Sequence, residues 1–110
     1  MEMALGMSES EANDIGFRGT DQGTQMKTTY GWYDGAPGTN SSGFSGLPGG
    51  IRGYSGGFYD AGLNGYWCSS SPVGSNAWSR YLGYDDENVN RNSGSNLRRG
   101  FSVRCVRDAE

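Results

Sequence analysis

The chain has 110 residues, enough for about one domain, and only 34% of them are hydrophobic, so any core is small. A formal charge of −3 argues against a general nucleic-acid binder. No run approaches the ~20 apolar residues of a membrane-spanning helix, and two Cys without any His argue against a zinc centre. The apolar content is carried by 7 Tyr, 3 Trp and 4 Phe, which gives large buried areas at few positions and argues against disorder despite 20 Gly.

Met1 to Met7 is too short and acidic for a secretory signal, so a targeting segment is expected outside this sequence. Ser8-Glu9-Ser10-Glu11 fits a capping box, with Met7 and Ala12 placed for a hydrophobic staple, and predicts a short helix from about Glu9 to Asn13. A second helical turn is expected within Gly19 to Lys27, capped by Asp21. From Tyr30 to Gly57 glycine, serine, asparagine and proline are punctuated by Trp32, Phe44, Leu47, Ile51 and Tyr54, which should pin a long loop. Asn40-Ser41-Ser42 matches a glycosylation acceptor and is read as loop.

The second half alternates as an antiparallel sheet does. Asn64-Gly65 between Phe58-Tyr59-Asp60 and Tyr66-Trp67-Cys68-Ser69 reads as a hairpin turn. Ala77 to Leu82 reads as a strand with Trp78, Arg80 and Leu82 on one face and Ser79, Tyr81 and Gly83 on the other. Val89 and Arg91 alternate with Asn88, Asn90 and Asn92, and Gly100 to Val106 forms a closing strand. Trp67, Trp78, Leu82, Phe101 and Val103 are therefore expected in one core, with Ser79, Tyr81, Asn88 and Asn90 comparatively exposed. Arg80 and Arg91, on the core side, should find carboxylates, carbonyls or an aromatic ring. Cys68 and Cys105 allow either one bridge or two free thiols.

Ser42-Gly43-Phe44-Ser45-Gly46-Leu47-Pro48-Gly49-Gly50, Gly65-Tyr66-Trp67-Cys68-Ser69-Ser70, Ala77-Trp78-Ser79-Arg80-Tyr81-Leu82 and Gly100-Phe101-Ser102-Val103-Arg104-Cys105-Val106 occur in this order. The ordered set resembles the Fibrobacter succinogenes major paralogous domain family. The resemblance implies one α+β domain over residues 1–110 with a C-type-lectin-like fold: a short N-terminal helix, long glycine-rich loops and a small twisted antiparallel sheet in the C-terminal half. Relative to the family pattern the chain looks shortened at its N-terminal end, by a strand and a helix. A sheet edge left uncovered in that way would invite self-association. Family members are typically exported, which implies an extracytoplasmic location, secreted or at the cell surface. The C-terminal part also resembles variable receptor proteins diversified by retroelements.

The function expected from these features is recognition of a protein or glycan by the polar and aromatic positions of residues 75–98: Asn76, Ser79, Tyr81, Tyr84, Asp85, Asp86, Asn88, Asn90, Asn92, Ser95 and Asn96. Tyr gives large contact area at low entropic cost, and Asn and Ser give adaptable hydrogen bonds. A structural spacer or adhesin segment of a larger exported protein is the alternative. An oxidase related to formylglycine-generating enzymes ranks last, because neither Cys has a His to activate it. No cofactor, nucleic acid or membrane insertion is expected, and Asp85, Asp86, Glu87 and Asn88 are read as a solvated acidic turn in preference to a calcium site.

Overall fold

Local chemistry at the N-terminus acts as expected. The structure, a computed structural model, describes residues 1–33, 38–96 and 99–103, with residues 70–73 and 94–96 as backbone only. A 3-10 turn at Met3–Leu5 leads to α1 (Glu9–Ala12), which starts on a complete capping box: the Glu11 amide donates to Ser8 Oγ and the Ser8 amide to Glu11 Oε2, both at 3.2 Å. After β1 (Gly16–Arg18) comes α2 (Gln22–Met26). Asp21 stands at its N-cap without capping a backbone amide; its Oδ1 instead accepts from Gln25 Nε2 at 3.0 Å.

Two strands of two residues, β2 (Ile51–Arg52) and β3 (Phe58–Tyr59), pair with each other. The main sheet is built from β4 (Asn64–Val73), β5 (Asn76–Gly83) and β6 (Val89–Asn96), with β1 added beside β6 in the order β1-β6-β5-β4. All its pairs are antiparallel, so the chain is α+β with a predominantly antiparallel sheet.

The expected hairpin at Asn64-Gly65 is not there. The Asp60 carbonyl accepts from the Leu63 and Asn64 amides, which places the turn one step earlier, and β3 pairs with β2 and not with β4. Gly65 serves close approach instead: a Cβ there would strike the Trp67 ring and the Leu47 carbonyl. The tight hairpin is the β4–β5 connection through Gly74-Ser75, where Gly74 takes φ 57.

Along the outer edge of β4, the Gly50 amide donates to Asn64 O at 2.8 Å and the Ser102 amide to Tyr66 O at 2.9 Å. The edge is therefore covered between Asn64 and Trp67. The expected closing strand is reduced, among the described residues, to single bridges at Gly100 and Ser102; Arg104, Cys105 and Val106 lie outside them. Val103, expected in the core, is 77% exposed, with no ladder among the described residues to hold it to the sheet.

One face of the sheet is dry. Met26, Trp32, Phe44, Trp67, Leu82 and Val89 form its core, with Leu5 and Tyr84 packed against them. Phe44 meets Trp67 edge to face at 5.4 Å. Trp32 and Phe44 thus pin the glycine-rich loop as expected, whereas Leu47 and Tyr54 are exposed. Each fully buried side chain of this size contributes ~1.5–3 kcal/mol, so six of them are the main source of stability.

Charge closes the rim of that core. Glu2 Oε1 accepts from Arg80 Nε at 2.7 Å and from Arg18 Nη2 at 3.2 Å, while Arg18 Nη1 donates to Val89 O at 2.8 Å. Burial alone would raise the Glu2 pKa, but the bonds from Arg80 and Arg18 outweigh it and hold the carboxyl at about 2. Arg91 lies over the Trp78 ring at 3.7 Å and donates to Asn13 O at 2.7 Å. Both arginines of the core side have the partners the sequence demanded.

Candidate recognition surface

The opposite face of the sheet carries a row of rings. Register sets it: Phe17 of β1 lies opposite Asn90 of β6, Asn90 opposite Tyr81 of β5, and Tyr81 opposite Tyr66 of β4. Residues directly opposite share a face, so all four side chains stand on the outer side. Phe17 and Tyr81 reach over the intervening strand and meet edge to face at 5.3 Å. Tyr81 and Tyr66 follow at 5.1 Å, and Phe101 stacks on Tyr66 at 5.6 Å. Aromatic contact therefore runs unbroken across the sheet.

Asn90 lies in the same row, between Phe17 and Tyr81, and is only 6% exposed, which corrects its expected exposure. Its Oδ1 is buried with no hydrogen-bond partner among the described residues. Ser79, also expected to be exposed, is 2% exposed. Ser79 is paired on both sides, opposite Cys68 and Asn92, and a small side chain on such a central strand is shaded by its neighbours. Ser79 Oγ bonds Asn92 O at 3.4 Å, and Trp78 is half-buried against Arg91 outside the core cluster in which it was expected. Phe101 likewise leaves the expected core for the outer row.

The remaining positions fall in two places. Asn76, half-buried, and Asn92, exposed, lie on the sheet strands, with Ser95 and Asn96 placed by backbone register alone opposite Ala77 and Asn76. Tyr84, Asp85, Asp86 and Asn88 form the β5–β6 connection. Tyr84 is half-buried and meets Tyr33 edge to face at 5.4 Å; Asp85 is exposed; Asp86 and Asn88 are half-buried.

This turn is organised around Lys27, the only lysine in the chain. Lys27 is 1% exposed, and its Nζ donates to Gly83 O at 3.0 Å and to Asp86 O at 2.8 Å. Burial lowers its pKa, and the carboxylates of Asp86, Asp85 and Glu87 act against that shift. The acidic cluster that raised the question of calcium thus surrounds a cation supplied by the chain itself. Among the described residues no group of three His, Cys, Asp or Glu could hold a metal.

Among the described residues Cys68 is an exposed thiol without a disulfide partner, and Cys105 lies outside them. Cys68 lines a pocket of about 200 Å³ over Met26, Phe44, Trp67 and Leu82, with Glu2 and Arg80 at its side. No described helix is long and apolar enough to cross a membrane.

Residues 1–107 match the family model of the Fibrobacter succinogenes major domain. The chain belongs to this family. No curated protein and no solved structure matches it. Within this Fibrobacter succinogenes major domain, sequence reasoning missed Phe17, Tyr66, Glu2 and Lys27. Tyr66 was findable, since it alternates with Trp67. Phe17, Glu2 and Lys27 gain their places from pairings 56 to 78 residues distant along the chain, for which no local signal exists.

Proposed function

We propose that the domain is an extracytoplasmic recognition module of C-type-lectin-like architecture that binds a protein ligand through the outer sheet face, with Phe17, Tyr81, Tyr66 and Phe101 as its contact row. The observation that carries this reading is the unbroken ring series on the side of the sheet away from the core. A folded domain gains little by leaving large apolar side chains such as Phe17 at its surface, and aromatic residues are enriched where one protein meets another. The buried, unpaired Oδ1 of Asn90 beneath the row is a cost without structural return, the kind tolerated at functional sites. Short helices, a long glycine-rich connection and the antiparallel sheet support the lectin-like arrangement.

The test is an array of secreted and cell-surface proteins and glycans probed with the wild-type domain, followed by Phe17→Ser on any protein hit. Loss of affinity of tenfold or more, with a melting temperature close to that of the wild type, is expected. Retained affinity would move the site elsewhere. Failure of the wild type to bind any arrayed protein would favour the spacer or adhesin reading.

A further inference from the structure

A second concavity lies beside the sheet, outside residues 75–98. Tyr54, Ser55, Tyr59, Asp60, Tyr66 and Arg99 line a cleft of about 460 Å³, within the ~300–1,000 Å³ of small-molecule sites. Tyr66 forms its junction with the aromatic row.

Asp60 is the centre of its chemistry. It takes φ 65, a left-handed conformation that is uncommon outside glycine. The turn that follows locks it, since its carbonyl accepts from the Leu63 and Asn64 amides. Its Oδ2 accepts from Tyr66 Oη at 2.9 Å and from Asn64 Nδ2 at 3.3 Å. The other carboxylate oxygen has no partner among the described residues. Burial and then the bond to Asp60 push the Tyr66 pKa up to about 12, so this phenol remains a donor at any physiological pH. The Tyr59 ring lies close over Gly53 and Gly57, which fixes its orientation, while Tyr54 is 63% exposed and meets no other ring among the described residues.

We propose that this cleft binds one residue of a neutral saccharide, with Asp60 accepting from ring hydroxyls and the tyrosine rings covering its C–H face. Opposite charges share the cleft: a carboxylate ligand would meet Asp60, and an ammonium ligand would meet Arg99. A neutral polyol has both donors and acceptors, so it satisfies an acceptor and a guanidinium at once. Tyrosines offer an apolar body and a polar tip, which matches a pyranose with one C–H face and a hydroxyl rim. The cleft shares Tyr66 with the protein-binding row proposed above, but the saccharide reading does not depend on that row binding a protein.

The test is an amide-resolved NMR titration of the whole 15N-labelled chain. The probes are the neutral methyl pyranosides of glucose, mannose and galactose, with glucuronate and glucosamine as charged counterparts. At least one neutral glycoside should bind with millimolar affinity and shift amides of residues 53–60 and 64–66, and the charged sugars should bind more weakly. Asp60→Asn, which tolerates the left-handed conformation, and Tyr54→Ala, at an exposed ring, should each weaken binding tenfold or more while the remaining spectrum is kept. If Asp60→Asn unfolds, Tyr54→Ala decides. No shifts at tens of millimolar of any neutral probe would overturn the proposal. Equal or tighter binding of glucuronate, or unchanged binding by Tyr54→Ala, would do the same. Shifts confined to Phe17, Tyr81 and their strand neighbours would put the sugar on the sheet face, overturning the cleft while leaving the outer face as a recognition surface.

Discussion

The two faces of one sheet solve opposite problems with the same strands. On the inner side, Trp67, Leu82 and Val89 are buried, and the charged groups nearby are neutralised within the chain: Glu2 between Arg18 and Arg80, Lys27 among three acidic residues. On the outer side, Phe17, Tyr81, Tyr66 and Phe101 touch one another, and among the described residues no second cluster of buried core lies above them. On the proposed reading the difference separates stability from recognition: substitutions on the inner side should act on folding, and those on the outer side on binding.

The largest expected effect is at Lys27. Lys27→Met would leave the Gly83 and Asp86 carbonyls without their donor and three carboxylates without their cation, at a cost of about 3 kcal/mol or more, read by chemical denaturation. Glu2→Gln should cost about 3 kcal/mol, since it leaves the buried Arg18 guanidinium uncompensated. Acid supplies the same change reversibly. The Glu2 carboxyl sits at about 2 when folded and near ~4.3 when unfolded, so its contribution is complete above the unfolded value and lost as pH falls through the folded one. Denaturation curves taken across that window should show an acid-sensitive component in the wild type that Glu2→Gln lacks.

Smaller effects sharpen the contrast. Tyr66 is raised to about 12 from an unfolded value of about 10, so its contribution is complete below the unfolded value and disappears as pH rises through the folded one; Tyr81 is shifted upward too, chiefly by burial, so phenolate absorbance should show both titrating later than the exposed tyrosines. Arg91→Ala removes a cation over the Trp78 ring at a half-exposed site, for about 0.5–1 kcal/mol. Phe17→Ser should change stability least, within about 1 kcal/mol. If it instead unfolds the domain, the outer row is structural and the division between the faces fails.

The parts of this arrangement visible in the sequence were those decided by neighbours. The capping box needs only Ser8 and Glu11, and the alternation from Arg80 to Leu82 needs only the pleat. Both arginine expectations held because an unpaired buried guanidinium is costly in any fold. Ser79 failed because period-two counting does not show that its strand is central, flanked on both sides. Asn90 failed because its cover, Phe17, arrives from a strand more than seventy residues earlier. The Asn64-Gly65 turn failed because Gly can serve close approach as well as a turn, and the Trp67 ring required the former.

The enclosure of Lys27 gives the domain a chemical clock. Acylation needs a free, unprotonated amine, and this one is held in a buried pair of carbonyl bonds. Modification of Lys27 by an amine reagent can proceed only when the β5–β6 turn parts from the residue after α2, so its rate, followed by peptide mass, reports that opening residue-specifically. Ligand bound across the turn should slow the reaction, and ligand bound only in the Asp60 cleft should leave it unchanged. A single side-chain amine thus reports directly whether a ligand engages this turn.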